Sequence, residues 1–293
     1  MTIGNFDGVH VGHREILRVG RGRARAAGVR LVALTFDPPA IAVLAPDRAP
    51  RRVVAADRKR DLLLDGGADL VVTAPATAEL LALGPEAFVR DVLVERLAPT
   101  VVVEGPNFHF GRGRRGDVDT LRALSASAGF EVVEVPAVRL DLPGRGEVHV
   151  SSTLIRELIA AGDVAGAAVC LGRSFALTGR VVTGERRGRL LEFPTANIEP
   201  AGVIVPGDGI YAARAELDGR VSAAAVSIGV KPTFGPAPRT IEVHLLDVSG
   251  DFYGKDVTVT FVARLREQVK FPDADALRAQ IREDIDRVRQ LCR

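Results

Sequence analysis

Residues 4–13 of the chain read GNFDGVHVGH and place two histidines three positions apart in a glycine-rich turn. Residues 1–3 predict the end of a short strand, and the segment from His13 onward predicts an amphipathic helix. At such a strand-to-helix turn, free backbone N–H groups and the helix dipole favour an anion. Glycines at positions 4, 8 and 12 permit positive φ and close approach of a ligand. His10 and His13 are therefore candidates to donate hydrogen bonds to phosphate oxygens during group transfer.

A histidine-x-glycine-histidine motif by itself also fits a plain loop with one surface histidine and one helix-capping histidine. Placed between a strand and a helix, it resembles the signature of nucleotidyltransferases that move AMP from ATP onto a phosphate. The longer form at residues 4–13 resembles the adenylyltransferase half of bacterial bifunctional riboflavin kinase/FAD synthetases. The chain begins almost on this motif, so we expect either an upstream start codon or a sheet that tolerates a very short first strand.

The composition predicts a folded protein with one large or two ordinary domains, since 47% of the 293 residues are hydrophobic. The 39 basic and 37 acidic residues leave a net charge of +2, which gives no argument for nucleic acid. Cys170 and Cys292 lack metal-binding spacing, and residues 1–30 lack the features of a secretory signal. No apolar run approaches the roughly 20 residues that span a bilayer. We expect a reduced, cytoplasmic protein without nucleic-acid or membrane partners, as a monomer or weak homo-oligomer.

Between residues 30 and 135, apolar strands alternate with helical segments, which predicts a Rossmann-like parallel sheet with helices on both faces. The predicted strands are 31–36, 70–73, 101–104 and 130–135, and the predicted helices are 57–64, 85–97 and 117–128. Ligands of such sheets bind at the carboxyl ends of the strands. His10, residues 37–39 and residues 105–107 follow strand ends, so we expect them to converge on one crevice.

After Gly172 the pattern changes to short β-rich runs separated by Gly, Pro and Asp turns, which predicts an antiparallel barrel or sandwich. The predicted strands are 175–182, 211–217, 223–228, 240–246 and 257–262. A final helix over 273–291 has an apolar face suited to pack on the barrel. That face consists of Leu277, Ile281, Ile285, Val288 and Leu291. We place the first domain at 1–172 and the second at 173–293.

Residues 105–117, GPNFHFGRGRRGD, combine aromatic, arginine and glycine residues in one loop before a helix. Such a loop suits RNA, with arginines on phosphates and aromatic rings on bases, and it equally suits a flavin or adenine ring with its phosphates. The run resembles the G-x-[DN]-F-x-F-G segment of FAD synthetases. That resemblance implies Asn107 and Phe108 as flavin-binding residues, without an ionised carboxylate at position 107.

Residues 151–156, SSTLIR, predict a helix start with hydroxyls suited to capping and an arginine that stays charged. A plain cap with a surface arginine is one interpretation. The run also resembles the SSTxIR motif of the same family, in which the hydroxyls and the arginine bind ATP phosphates. The resemblance implies these ATP-binding residues in the first domain: Gly4, Asn5, Phe6, Gly8, His10, His13, Ser152, Thr153 and Arg156.

The second domain contains no Walker A sequence, so an ATP reaction there needs another phosphate cradle. The Gly- and Arg-spaced run 179–189 leads into residues 193–197, FPTAN. On an extended segment Thr195 and Asn197 point to one side, as neutral oxygen ligands of a hard cation would; a simple turn is the alternative. The segment resembles the PTAN motif of riboflavin kinases. Further resemblance follows at 207–211, 228–234, 242–247, 251–254, 265–266 and 270–271.

The resemblance implies that Thr195 and Asn197 hold Mg²⁺ with the ATP phosphates and that Glu242 accepts the proton of the riboflavin 5′-hydroxyl. Phosphoryl transfer mainly needs positioning, charge neutralisation and such an acceptor. The alternative for Glu242 is a strand glutamate that faces water. The implied ATP-binding residues of the kinase are Gly179, Gly184, Gly188, Thr195 and Asn197.

The chain departs from the kinase pattern at Glu192 in place of glycine, Ser227 in place of asparagine and Gln268 in place of glutamate. A carboxylate at 192 repels ATP unless Mg²⁺ or a nearby arginine compensates. The leading hypothesis is a bifunctional enzyme that makes FMN and then FAD from riboflavin and ATP with Mg²⁺. The alternatives are an FAD synthetase with an impaired kinase half and a non-catalytic flavin-binding regulator.

Overall fold

The computed structural model describes residues 1–183, 193–230 and 239–293. Backbone contacts divide these residues into two compact units: Met1–Pro50 with Ala56–Ser151, and Arg51–Ala55 with Ser152–Arg293. The segment 152–171 is thereby grouped with the second unit, and the domain boundary at residue 172 stays a prediction.

The first unit alternates strands and helices as the sequence pattern predicts. Its strands are β1 Thr2–Ile3, β2 Val32–Phe36, β3 Leu70–Ala74, β4 Val101–Glu104 and β5 Glu131–Glu134, followed by a hairpin of β6 Arg139–Leu142 and β7 Gly146–His149. Its helices are α1 Val11–Ala26, α2 Ala40–Leu44, α3 Ala56–Asp65, α4 Ala78–Ala82, α5 Pro85–Ala87 and α6 Val118–Ala128. A π-helical segment, Phe88–Leu97, continues α5, and short 3-10 turns cover Pro46–Arg48 and Arg112–Arg114.

The parallel strands of this unit are arranged in the order β3-β2-β1-β4-β5. Parallel ladders join β1 to β2, β2 to β3 and β4 to β5. The Met1 amino group donates to the Val101 carbonyl oxygen at 2.6 Å and the Val103 N–H donates to Met1 at 2.9 Å, which places β4 beside β1. The chain order reverses between β1 and β4. In open α/β sheets a crevice for ligands opens outside the carboxyl ends of the strands at such a point.

The core of the first unit lies between this sheet and its helices. Leu34, Leu93, Val102 and Leu121 are almost fully buried in one cluster. Burial of each such side chain stabilises the fold by roughly 1.5–3 kcal/mol. The core thus fixes the strands whose carboxyl ends carry the candidate site.

The second unit combines two helices, six barrel strands and a terminal helix. The helices α7 Ser152–Ala160 and α8 Val164–Leu171 precede the strands, and α9 Ala274–Leu291 follows them. The strands are β8 Ala176–Val182, β9 Ala196–Pro200, β10 Gly209–Leu217, β11 Arg220–Gly229, β12 Thr240–Leu245 and β13 Asp256–Arg266. They close into an antiparallel barrel in the order β10-β11-β12-β9-β8-β13, so the barrel and not the sandwich is correct.

The two faces of β12 show how the barrel positions polar groups. Ile241, Val243 and Leu245 are buried toward the interior, whereas Glu242 and His244 alternate with them and are half-buried. The interior is therefore apolar, and chemistry-bearing side chains of this strand lie on the outer face.

Helix α9 packs against the barrel as its apolar spacing predicts. Val288 is fully buried in a cluster with Ala212 and Leu265, but Leu291 is 44% exposed and lies outside the packed face. Throughout the described part of the chain, no helix combines the length and apolarity needed to cross a membrane.

Candidate functional sites

The turn between β1 and α1 has an unusual backbone. Phe6, Gly8 and Val9 have φ values of 47°, 83° and 40°, and the Val9 N–H donates to the Phe6 carbonyl oxygen at 3.0 Å. Of the three glycines of this turn that permit positive φ, Gly8 uses it, whereas Gly4 and Gly12 do not. The tight turn instead comes from two non-glycine residues held in the left-handed region around Gly8.

The two predicted histidines lie together at the start of α1. His10 Nδ1 caps the helix by accepting a hydrogen bond from the His13 backbone N–H at 3.4 Å, so the helix begins at Val11, two residues before its predicted start. The rings stack with centroids 3.6 Å apart, and the Phe6 ring meets His13 edge-on at 5.2 Å. A neutral His10 whose Nδ1 accepts carries its proton on Nε2. That proton makes Nε2 a hydrogen-bond donor.

Gly12 is explained by packing against His10. A Cβ atom at position 12 would lie 3.1 Å from His10 Cε1 and 3.2 Å from its Nδ1. The absent side chain at Gly12 therefore leaves space for the capping imidazole over the first turn of α1.

Lys59 of α3 is buried at the carboxyl ends of β1 and β2. Its Nζ atom donates to Thr35 Oγ1 at 2.9 Å, to the Phe36 carbonyl oxygen at 3.2 Å and to the Asn5 carbonyl oxygen at 3.3 Å. The sequence motifs do not indicate this residue. The helical spacing indicates its burial, because Lys59 lies four residues before the buried Leu63 and therefore on the same inward face of α3.

Glu104 lies at the end of β4 and is buried between β1 and β4. Its Oε1 atom accepts hydrogen bonds from the Ile3 N–H at 2.6 Å and the Thr2 hydroxyl at 3.4 Å. Burial raises the pKa of this carboxyl well above its ordinary value. Glu104 therefore anchors the strand that leads into the histidine turn.

The loop after β4 begins beside α1, because a Cβ atom at Gly105 would lie 3.4 Å from Ile16 Cδ1. Asn107 is exposed, whereas Phe108 is half-buried and stacks on Phe110 with centroids 5.4 Å apart. Backbone hydrogen bonds in both directions between Phe110 and Gly116 close the loop. Phe108 thus leans on the core of the first unit, and its flavin-binding role stays a prediction, as does that of Asn107.

Residues 152–156 of the predicted phosphate motif form the start of α7, in the second unit, and Ser151 belongs to the first unit. Thr153 is exposed, Ser152 and Arg156 are half-buried, and the Arg156 Nη2 atom donates to Thr153 Oγ1 at 3.4 Å. The helix start agrees with the sequence pattern, and the ATP-binding role of the three residues stays a prediction.

Glu242 and Asn197 are brought together by the register of the barrel. Asn197 of β9 is the direct partner of Glu242 on β12, and both side chains are half-buried. Direct partners on antiparallel strands have Cβ atoms about 4.5–5.5 Å apart. The preceding segment is tied to β12, because His244 Nδ1 lies 2.8 Å from the Pro194 carbonyl oxygen and its ring contacts Phe193 edge-on. Thr195 lies exposed between these two contacts and the strand.

Ser227 of β11 is the partner of Glu242 on its other side. The Gln268 Nε2 atom donates to Ser227 Oγ at 3.2 Å, and a Cβ atom at Gly229 would lie 2.5 Å from Gln268 Oε1. Two of the three departures from the kinase pattern are thus in contact with each other beside Glu242. The third, Glu192, lies outside the described residues, as do Gly184 and Gly188.

Gly179 is accounted for by strand packing. It is buried in β8, where a Cβ atom would overlap the Glu199 carbonyl oxygen and would lie 2.5 Å from Ile198 Cγ2 of β9. Its predicted contact with ATP stays a prediction.

A cavity of about 440 Å³ lies between Phe193, the end of β12 and α9. Its wall combines apolar side chains such as Leu245 and Ile285 with the charged Arg282 and Asp286. The sequence motifs do not indicate this cavity. Part of the motif run 242–247 lines it, but the contribution of α9 depends on how that helix packs on the barrel.

The oxygen donors of the segment 195–197 suit a hard cation. Within the described ranges, no group of three or more His, Cys, Asp or Glu side chains is arranged to hold a metal ion. Thr195 and Asn197 instead offer a hydroxyl and an amide carbonyl, and Mg²⁺ is commonly held by a few such oxygens together with substrate phosphates. The donor set therefore fits Mg²⁺ bound jointly with a nucleotide.

Comparison with known proteins identifies both parts of the chain. The FAD synthetase family matches residues 1–154, and the riboflavin kinase family matches residues 171–292. The chain belongs to the bifunctional riboflavin kinase/FMN adenylyltransferase family. The enzyme of that name from Escherichia coli (strain K12) is 34% identical over 97% of this chain and 90% of its own length. The one from Pseudomonas fluorescens is 38% identical over 99% of this chain and 92% of its own length.

A solved structure extends the likeness to the fold. The crystal structure of a macrolide-efflux protein from Streptococcus pneumoniae is 27% identical, has a TM-score of 0.85 and covers 98% of this chain and 93% of its own. The predicted family, the predicted fold class and the order of adenylyltransferase part before kinase part are confirmed. ATP is accordingly a co-substrate of both activities.

Proposed function

We propose that the protein makes FAD from riboflavin in two ATP-dependent steps, with the chemistry of each step placed on the residues described above. The riboflavin kinase part phosphorylates riboflavin to FMN, and the FAD synthetase part, which carries His10 and His13, adenylylates FMN to FAD with release of pyrophosphate. One observation carries each half: the Glu242–Asn197 pair in the barrel, and the stacked His10 and His13 at the start of α1.

In the kinase step, Glu242 is the proton acceptor. The 5′-hydroxyl oxygen of riboflavin forms a bond to the γ-phosphorus of ATP, the bond from that phosphorus to the bridging oxygen breaks, and ADP leaves. The hydroxyl proton passes to the Glu242 carboxylate. Thr195 and Asn197 would hold Mg²⁺, which neutralises phosphate charge when bound.

The cavity between Phe193, the end of β12 and α9 is the site proposed for the isoalloxazine ring. Its volume of about 440 Å³ lies within the range of roughly 300–1,000 Å³ that is typical of small-molecule pockets. Phe193 and Ile285 offer apolar surface, while Arg282 and Asp286 offer polar partners for the ring edge.

In the adenylyl step, a phosphate oxygen of FMN forms a bond to the α-phosphorus of ATP, and the bond to the bridging oxygen of the leaving pyrophosphate breaks. No proton has to move, so His10 and His13 act as hydrogen-bond donors to developing charge and not as bases. The N-terminus of α1 adds its dipole and free N–H groups. Ser152, Thr153 and Arg156 are proposed for ATP phosphates, and Asn107 and Phe108 for the flavin.

Product analysis tests the proposal. Purified full-length protein with riboflavin, ATP and Mg²⁺ is expected to yield FAD on chromatography. FMN alone as product would overturn the adenylyl assignment. FAD from supplied FMN but not from riboflavin would indicate an impaired kinase half, and no product at all would indicate a non-catalytic flavin-binding regulator.

A matched pair of variants tests the kinase base. Glu242→Gln keeps the shape of the side chain but cannot accept the proton, so kcat for FMN formation is expected to fall about 10²-fold or more. Glu199→Gln, an exposed glutamate on the neighbouring strand β9, should leave kcat unchanged. Full activity of Glu242→Gln would remove the base from the proposal.

We further propose a cytoplasmic location and action as a monomer or weak homo-oligomer, without nucleic-acid or membrane partners. Cys170 and Cys292 are both free, and burial raises the pKa of each thiol. Such unreactive thiols suit a reducing compartment.

A further inference from the structure

The buried ammonium of Lys59 lies directly beneath the turn that carries His10 and His13. We propose that Lys59 is a positioning residue for adenylyl transfer, which ties the Asn5 carbonyl to the end of β2 and so holds the histidine turn in its working geometry. The inference rests on the proposed adenylyl function of this turn.

Burial of a lysine charge is costly unless the ammonium is fully hydrogen-bonded. Lys59 is 8% exposed, and its three N–H donors match three protein oxygens within 3.3 Å. Two of these oxygens are backbone carbonyls, that of Phe36 at the end of β2 and that of Asn5 shortly after β1. A side chain that only filled space at this position would be apolar. The buried charge is therefore explained by the protein oxygens to which the ammonium donates hydrogen bonds.

The contacts lead from Lys59 to the histidines in few steps. The Asn5 carbonyl accepts from Lys59 and also from the Thr35 hydroxyl at 3.4 Å. The next residue, Phe6, has a left-handed backbone with φ of 47°, and its ring contacts His13. A shift of the Asn5 carbonyl would therefore move Phe6 and the ring on which His13 rests.

Because the ammonium donates to protein oxygens, its removal should disturb geometry more than ATP binding. Misplacement of catalytic groups by about 1 Å can lower a rate on the order of 10²-fold. We therefore expect an effect on kcat for adenylylation with the KM for ATP nearly unchanged. If Lys59 instead bound a substrate phosphate, its removal would raise the KM for ATP and leave kcat nearly unchanged.

Steady-state kinetics of FAD formation from supplied FMN test the proposal in the full-length chain. Lys59→Met is expected to lower kcat about 10²-fold while the KM for ATP changes less than about twofold. Arg60→Met, an exposed cation one residue later on α3, should match the wild type. A raised KM with unchanged kcat, or no change in either, would overturn the proposal. Failure of the wild type to make FAD would instead overturn the proposed function.

A second variant keeps the test decisive if Lys59→Met unfolds the first unit. Thr35→Val retains the shape at position 35 and the Lys59 charge but removes one acceptor of the ammonium and one donor to Asn5. It should lower kcat about 3- to 10-fold, the equivalent of one hydrogen bond, with the KM for ATP unchanged. Full kcat in Thr35→Val, with thermal unfolding like that of the wild type, would contradict the positioning role.

Discussion

At the scale of single residues, the adenylyl site depends on the fit between Gly12 and the His10 ring. Alanine is the better helix former, so a glycine in the first turn of α1 lowers intrinsic helix stability by up to about 1 kcal/mol. Glycine nevertheless suits this position, because a Cβ there would lie 3.1 Å from the imidazole that caps the helix and would press the ring out of place.

A pair of glycine substitutions on α1 separates this role from helix propensity. Gly12→Ala should displace the His10 ring and lower adenylylation about 10-fold or more, as partial loss of a transition-state donor predicts. Gly22→Ala, where a Cβ meets nothing within 4 Å, should leave activity unchanged. Riboflavin phosphorylation serves as the internal control for both. Equal adenylylation rates in the two variants would show that His10 does not need its present position.

Glu104 predicts a pH dependence of stability. Below its ordinary pKa of 4.5 the carboxyl is protonated in both states, so burial does not oppose folding. Its folded-state pKa is raised by burial, so stability falls as the pH rises from there through the folded-state pKa. Glu104→Gln keeps an acceptor for the Ile3 N–H and removes the titration. The variant should therefore melt at a higher temperature than the wild type at pH 8, with a smaller difference at pH 5.

The measurement for Glu104 is thermal unfolding of the full-length chain at the two pH values. Glu131→Gln, on the exposed face of β5, controls for a general loss of negative charge. A Glu104→Gln melting temperature that tracks the wild type at both pH values would show that the carboxyl does not ionise in this range.

At the scale of elements, the position of α9 determines the wall of the proposed flavin cavity. Arg266 of β13 holds Asp284 of α9 through hydrogen bonds of 3.1 and 2.7 Å, and the two side chains are 19% and 4% exposed. Arg282 and Asp286, on the same helix, line the cavity. A buried ion pair thus links the barrel to the helix that forms one wall of the proposed flavin cavity.

Removal of the Asp284 charge should affect stability and riboflavin binding together. Asp284→Asn leaves a largely buried guanidinium without its counter-charge, which should destabilise the second unit by about 3 kcal/mol. The KM for riboflavin should rise as α9 loosens. Asp275→Asn breaks an exposed pair with Arg278 on the same helix and should change stability by no more than ~0.5 kcal/mol. Urea unfolding measures the loss of stability, and kinase kinetics measure the KM for riboflavin. Equal losses of stability in Asp284→Asn and Asp275→Asn would show that the buried ion pair does not stabilise the second unit.

The elements that the sequence predicts well are those in which apolar residues recur with a clear helix or strand period. Strand β4 agrees at both ends, and α6 differs by one residue from its predicted start. Strand β9 is predicted only as an extended ligand segment, because the alternation of Ala196 and Ile198 with polar residues is too short to define a strand. The π-helical segment Phe88–Leu97 has the same apolar spacing as an ordinary helix over a few turns, so the pattern does not distinguish the two.

The candidate sites divide in the same way. His10, His13, Asn197 and Glu242 are indicated by local motifs, because a turn or a strand alone defines their setting. Lys59 and the cavity wall depend on contacts between distant segments, which one sequence does not reveal. A polar residue on an otherwise apolar helix face, as at Lys59, is the signal that such a contact leaves.

At the scale of the whole molecule, the two family matches, residues 1–154 and 171–292, correspond to two different phosphate chemistries. The kinase candidates Asn197 and Glu242 lie in the barrel of the second unit, and His10 and His13 lie in the first. FMN is the product of one reaction and the substrate of the other. Loss of one set of residues should therefore leave the other reaction intact.

Mixing two inactive variants tests this independence. His13→Ala should stop at FMN when given riboflavin, with adenylylation reduced on the order of 10²–10³-fold. Glu242→Gln should make no FMN from riboflavin but should convert supplied FMN to FAD. An equimolar mixture of the two should form FAD from riboflavin after a lag, because FMN released by one protein diffuses to the other. The lag should shorten as total protein rises. The contrary result would be a mixture that accumulates FMN without FAD, although Glu242→Gln alone converts supplied FMN. In that case FMN made in the barrel would not be released to solution. The two sites would then be coupled within one molecule.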